Sequence, residues 1–170
     1  GECRFVCADV ADISGHLSGD INLIMSQSAI EHFQDDIQLF YEIGAFLDGK
    51  GKPAMQLHLF PSAACLRLYP WHGVRQYTPR TVSLLSRTFN DSSYSRLYRL
   101  GGSVCNKVLR EFVTAPLLRP QQVDIRRRAT PRYYSKRVRA AIESDIASQQ
   151  STPSFYALVI ESYSRDIIFQ

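Results

Sequence analysis

The chain has 170 residues and a mass of 19.3 kDa, about one domain's worth of sequence. With 45% apolar and 21% charged residues it can build a core, which excludes wholesale disorder. Net charge is +4, and no uncharged stretch, Ile21 to Ile30 included, is long and apolar enough to span a bilayer.

Taken in order, Cys3 to Ala8 is short, apolar and β-prone, and it ends at Asp9. A polar loop with Gly15 and Gly19 leads to a second predicted strand, Asp20 to Met25, bounded by the polar run Ser26-Gln27-Ser28. Asp35 to Leu47 reads as a helix: Ile37, Phe40, Tyr41, Ala45 and Leu47 fall near a 3.6 period, and Asp35 and Asp36 favour its N-terminus. The turn Gly49 to Pro53 stops it, and Ala54 to Phe60 is a third predicted strand. Pro61 to Gln76, rich in aromatics, reads as loop or short irregular helix. Thr78-Pro79 is a cap followed by a first-turn proline, which predicts a helix to about Arg87. Tyr94 to Leu100 alternates as a strand, and Ser103 to Val113 is helical in pattern. Pro116, Pro120 and Pro131 break the next stretch. Tyr134 to Ser148 is a basic helix, and Phe155 to Ser162 is a closing strand. Strands alternating with helices predict an α/β fold with a mainly parallel sheet.

Two compositional features need a physical reading. Seven of the twenty basic residues lie between Arg126 and Arg139. Such a run reads as a solvated helix face with its entry loop, or alternatively as a surface for an anionic partner, nucleic acid included. The cysteines Cys3, Cys7, Cys65 and Cys105 show no CxxC spacing and no partner ligands at zinc-site spacing, so no metal centre is expected. They read as reduced thiols of a cytoplasmic protein.

From Asp20 to Gly51 the residues form an ordered set. The run Asp20-Ile21-Asn22-Leu23-Ile24-Met25-Ser26-Gln27-Ser28-Ala29-Ile30-Glu31-His32-Phe33 is followed by Asp35-Asp36 and then by Leu47-Asp48-Gly49-Lys50-Gly51. This set resembles the central motifs of class I S-adenosylmethionine-dependent methyltransferases: a strand of the "FDLIxSxxxxEH" kind, a helix, and a "LKPGG"-like turn. Phe5-Val6-Cys7-Ala8-Asp9-Val10 is similar to the preceding family strand, and Gln76-Tyr77-Thr78-Pro79 to a later helix start.

The resemblance covers residues 3 to 89 closely and the rest loosely. It implies a Rossmann-like fold in the family's sheet order 3-2-1-4-5-7-6, with an antiparallel last strand. It implies S-adenosylmethionine as methyl donor. The family's first strand with its GxGxG turn and its second strand, which ends in the ribose-binding acid, have no counterpart. The chain is therefore expected to be a single domain forming the C-terminal two-thirds of a methyltransferase domain, with residues 114–150 a helical insertion before the last strand.

Ligands of open α/β sheets sit beyond the carboxyl ends of the strands. On that rim the resemblance assigns Asp9 and Val10 to the adenine, and backbone groups of Ser26 and Gln27 to the donor. His32 becomes the general base, its ordinary pKa suiting neutral pH. Each has a plainer alternative: Asp9 capping its own loop, Ser26 and Gln27 making a simple turn, His32 bonding across it. In family members that hold a divalent metal through Glu-x-x-Glu-His, a glutamate stands where this chain has Ser28, so that site is not expected. His58, Trp71, His72, Arg75 and Tyr77 are the expected acceptor pocket, an aromatic floor with polar donors. The alternative is a loop anchored over the core by Trp71. The expected activity is methyl transfer to a small molecule or glycan, at oxygen. A nucleic-acid methyltransferase and a cofactor-free binding or scaffolding module are the alternatives, with no membrane partner and the oligomeric state open.

Overall fold

The computed structural model describes residues 5–68, 74–89, 93–120, 125, 131–148 and 152–162. Its strands are β1 (Leu23–Gln27), β2 (Ala54–Pro61), β3 (Ser93–Leu100) and β4 (Phe155–Ser162). Its helices are α1 (Asp36–Lys50), α2 (Ala63–Leu68), α3 (Pro79–Ser86), α4 (Ser103–Leu109), α5 (Ala115–Leu117) and α6 (Pro131–Ser148). Short 3-10 turns occupy Val10–His16 and Ile30–His32.

The four strands make one sheet in the order β1-β2-β4-β3. β1 and β2 run parallel, and β4 lies antiparallel to both β2 and β3. The expected mainly parallel sheet is therefore corrected to a mixed one. Three strands do point the same way, but the reversed β4 is inserted between two of them and turns both of its pairings antiparallel. This order is the 4-5-7-6 half of the order that the resemblance implies.

Local signals set the helix ends. The Asp35 side chain accepts from Gln38 N at 3.0 Å and starts α1. Gly51 ends it in the left-handed conformation (φ 58°), which glycine adopts without strain. Thr78 and Thr81 form a reciprocal capping box ahead of Pro79 at the start of α3. Leu39, Phe40, Ile43 and Leu47 of α1 and Val82 and Leu85 of α3 bury against Phe60, Leu158 and Ile160 of the sheet. Each such side chain contributes about 1.5–3 kcal/mol of apolar burial.

Two expectations change. Residues 5–9 form no strand, and Phe5 is 96% exposed. A strand needs a ladder partner, and β1 meets only β2 among the described residues. The chain instead turns through Val10–His16, where Val10 and Ile13 pack on the core and Ser14 Oγ donates to Glu42 Oε2 of α1 at 2.9 Å. Second, Pro116 does not break the helix. The segment Arg110–Thr114 widens into a π-turn, and the helix continues through α5. The wider turn accommodates a proline that cannot donate to the carbonyl four residues back and would crowd it.

α4 and α6 form a second small core around Cys105, Val108, Phe112 and Ala141. Gly102 offers α4 no side-chain cap. Asp145 of α6 supplies it from outside: its two oxygens accept from Val104 N at 3.0 Å and Cys105 N at 2.9 Å. Burial would raise the Asp145 carboxyl, but the Cys105 and Val104 amides outweigh it and hold the group below the usual carboxylate range. Arg137 ties α6 to the π-turn through Glu111 Oε2 at 2.7 Å. The other described cations of the basic run, Arg132, Lys136 and Arg139, are exposed; Arg126 to Arg128 lie outside the described residues.

Candidate functional site

The carboxyl ends of β1 and β2 carry the rim. Ser28 leaves β1 with φ 47°, the only positive φ among the described non-glycine residues. Its N–H donates to Leu59 O at 2.8 Å, which holds the turn against β2. Strain of this kind clusters at functional sites and is held there by surrounding contacts. Ile30–His32 then coils back, with Glu31 O accepting from both Val74 N (2.7 Å) and Arg75 N (3.2 Å).

A cleft of about 500 Å³ opens beside this turn. Ala8, Asp9 and Val10 line one side and His32, Phe33 and Gln38 the other. Asp9 Oδ1 caps Ala11 N at 3.1 Å, so the plainer reading of Asp9 is realised for one of its oxygens. His32 is 43% exposed, with Nε2 4.0 Å from Glu31 Oε1. The cleft thus brings Asp9, Val10 and His32 together. Phe33, Gln34, Asp35 and Gln38, which sequence reasoning did not assign, belong to it by their continuity with His32.

Beneath the rim lies a buried polar cluster. Tyr77 Oη is 2.6 Å from Asp36 Oδ2 and 3.1 Å from Ile30 O. Arg75 Nε sits 3.0 Å from Asp36 Oδ1, an ion contact rather than an aligned hydrogen bond. Burial and then Asp36 push the Tyr77 phenol far up, so it stays protonated. Glu31 is fully buried and neither carboxylate oxygen has a hydrogen-bond partner among the described residues. Burial raises its pKa, partly offset by its own backbone amide and by His32.

Of the expected acceptor pocket, the described residues His58, Arg75 and Tyr77 are engaged in other contacts. His58 is 1% exposed, sandwiched in the core 4.7 Å from the Phe40 ring. Its Nδ1 is 2.8 Å from Ser26 Oγ and its Nε2 3.2 Å from Gln56 Oε1. An amide oxygen only accepts, so Nε2 carries the proton and the Ser26 hydroxyl donates to Nδ1. Burial drives His58 down to about 4, and the ring is neutral at pH 7. Ser26 thereby turns its side chain inward, leaving only backbone groups for a ligand. Tyr77 is likewise buried, and Arg75 bridges to Asp36. Trp71 and His72 lie outside the described residues. Gln27 borders a different cavity, against α4 and α6, together with Ser28. No group of side chains that could hold a metal ion occurs among the described residues.

No protein-family model and no curated protein matches the chain. Solved structures do. A SAM-dependent methyltransferase from Archaeoglobus fulgidus superposes with a TM-score of 0.50 at 13% identity, over 92% of this chain and 66% of that one. The plantazolicin methyltransferase BamL, solved with a triazolic desmethylPZN analog and SAH, gives 0.48 at 8% identity, over 92% and 58%. The chain thus spans no more than about two-thirds of the length of either protein. With the strand order, the first likeness shows the fold alone: a mixed α/β sheet similar to that of the Archaeoglobus fulgidus protein.

Proposed function

We propose that this chain is part of an S-adenosylmethionine-dependent methyltransferase acting on a small molecule. The observation that carries the reading is the cleft that gathers Asp9, Val10 and His32 at the carboxyl end of β1, in a sheet of methyltransferase order. Its residues fit the adenosine end of the donor: Val10 and Phe33 give apolar walls, and Asp9 keeps one oxygen beyond its capping bond for an exocyclic amine. When bound, the donor supplies a methyl group already activated on a sulfonium. The chain's residues then position and exclude water, and remove the acceptor's proton where the acceptor carries one. His32 is the proposed proton acceptor, exposed at the wall of the cleft. The reduced thiols fit a cytoplasmic setting. No described helix is long and apolar enough to cross a membrane.

The test is calorimetric titration with S-adenosylhomocysteine. Asp9→Ala is expected to weaken binding by about 1–3 kcal/mol, the usual effect of stripping a partner from a polar contact. Asp9→Asn keeps an oxygen for Ala11 N, so it separates the cap from the ligand contact: a loss in both variants supports the reading. Full affinity in Asp9→Ala refutes it.

A further inference from the structure

The second cavity on the rim is chemically unlike the first. It encloses about 310 Å³ between the ends of β1 and β2, the start of α4 and one face of α6. That is the small end of the roughly 300–1,000 Å³ typical of ligand sites. Leu59, Leu100, Leu109, Val138, Ile142 and Phe155 make its walls, and none of its lining residues among the described ones is charged. Cys105 adds a thiol that burial, with the Asp145 carboxylate behind it, pushes up to about 11, so it too is neutral. Its polar lining comprises Gln27 and the strained Ser28, where β1 ends, together with Tyr134 and Ser154. Gly101 closes a corner: a Cβ there would meet Ser154 Oγ at 3.1 Å and Cys105 Sγ at 3.2 Å.

We propose that this cavity is the acceptor site, and that it takes an uncharged, largely apolar molecule of one or two rings, with a single polar atom presented to Gln27 and Ser28. The inference rests on the methyltransferase reading and sharpens it. A glycan or an anionic metabolite would have to strip its hydration on entering a wall of leucine, valine and isoleucine, with no cation among the described lining residues to compensate. A neutral ring system loses nothing of the kind and gains from the area it buries. Gln27 and Ser28 lie one turn from His32 along the chain, so their end of the cavity is the one nearest the proposed donor cleft.

The probes are 2-naphthol, neutral at pH 7, and 2-naphthoate, an anion of the same shape, titrated by calorimetry. Saturable 2-naphthol binding, at least tenfold tighter than that of 2-naphthoate, is expected. Ile142 is 41% exposed on α6, so Ile142→Glu sets a carboxylate at the cavity wall without emptying the core, and should weaken 2-naphthol at least tenfold. Should that variant not fold, Ile142→Gln makes the same comparison with a smaller loss. Met25→Glu, at a 59% exposed position on the open sheet face, should leave 2-naphthol binding unchanged. Equal binding of the two probes, no effect at Ile142, or an equal loss in Met25→Glu overturns the proposal. S-adenosylhomocysteine is titrated in parallel. If it binds and 2-naphthol does not, the acceptor assignment fails and the methyltransferase reading stands. If 2-naphthol binds and S-adenosylhomocysteine does not, the acceptor role falls with that reading.

Discussion

Lowering the pH should unlock the core through His58. In the folded chain the ring is neutral, held between Ser26 and Gln56 and covered by Phe40. Its pKa falls from 6.5 to about 4 because burial penalises the charged form. A depressed folded value means that the unfolded chain binds the proton first. The stabilisation is therefore complete above pH 6.5 and drains away as pH falls toward 4. At about 1.4 kcal/mol per unit, the full effect is on the order of 3 kcal/mol, a large share of the roughly 5–15 kcal/mol that holds a domain folded. Urea unfolding at pH 7.5 and 4.5 reads it. The drop in wild-type stability between these values should exceed that of His58→Gln by about 2–3 kcal/mol. NMR of the histidine ring protons gives the midpoint without any substitution. A His58 midpoint near 6.5, or modification by diethyl pyrocarbonate as fast as at the half-exposed His32, would refute the buried placement.

Glu31 should show the opposite dependence. Its folded pKa is raised from 4.5, so the carboxyl is accommodated as an acid and its contribution is lost as pH rises through the folded value. Glu31→Gln is expected to match wild type at pH 4 and to exceed it by about 1–3 kcal/mol at pH 8. A destabilised variant in thermal unfolding would mean that the charge is in use. Asp145→Ala should cost about 2 kcal/mol, or about 4–8 °C in Tm, because it uncaps α4. Since the folded Asp145 pKa is depressed, the wild-type advantage should fade as pH falls below about 3.9 and through the folded value. An advantage that persists undiminished at pH 2 would exclude the carboxylate as its source.

Elements with local signals were legible in the sequence. The Asp35 cap, the Gly51 stop, Thr78-Pro79 and the β-branched run Phe155–Ser162 each fix a boundary within a few residues, and the structure has them. Features that depend on partners distant in sequence were not legible. Cys3 to Ala8 has strand composition, yet its described residues have no strand to pair with. β2 is the sharper lesson. Its sequence alternates Met55, Leu57, Leu59 with Gln56, His58, which reads as an apolar face turned inward and a polar one turned out. The structure buries Gln56 and His58, His58 against Phe40 of α1, and leaves Met55 exposed. A period of two says that the faces differ, not which one meets the helices. With His58 inside, that side chain faces the core and not a ligand. The cavity found instead joins Gln27 to residues more than 70 positions later, a proximity that only the fold creates. Asp9-Val10 and Glu31-His32 stand out in the sequence as turn residues, and a 3-10 turn occurs at each, although no strand precedes Asp9 among the described residues.

Whether the cleft between Asp9 and His32 holds the adenine of a methyl donor is tested most directly by photolabelling with 8-azido-S-adenosylmethionine and peptide mapping, since the azide reports where the ring sits. Saturable labelling, competed by S-adenosylhomocysteine, is expected in peptides containing Asp9-Val10 or His32-Phe33. Labelling confined to the open sheet face around Met25 and Met55, or not competed, would contradict that placement of the donor.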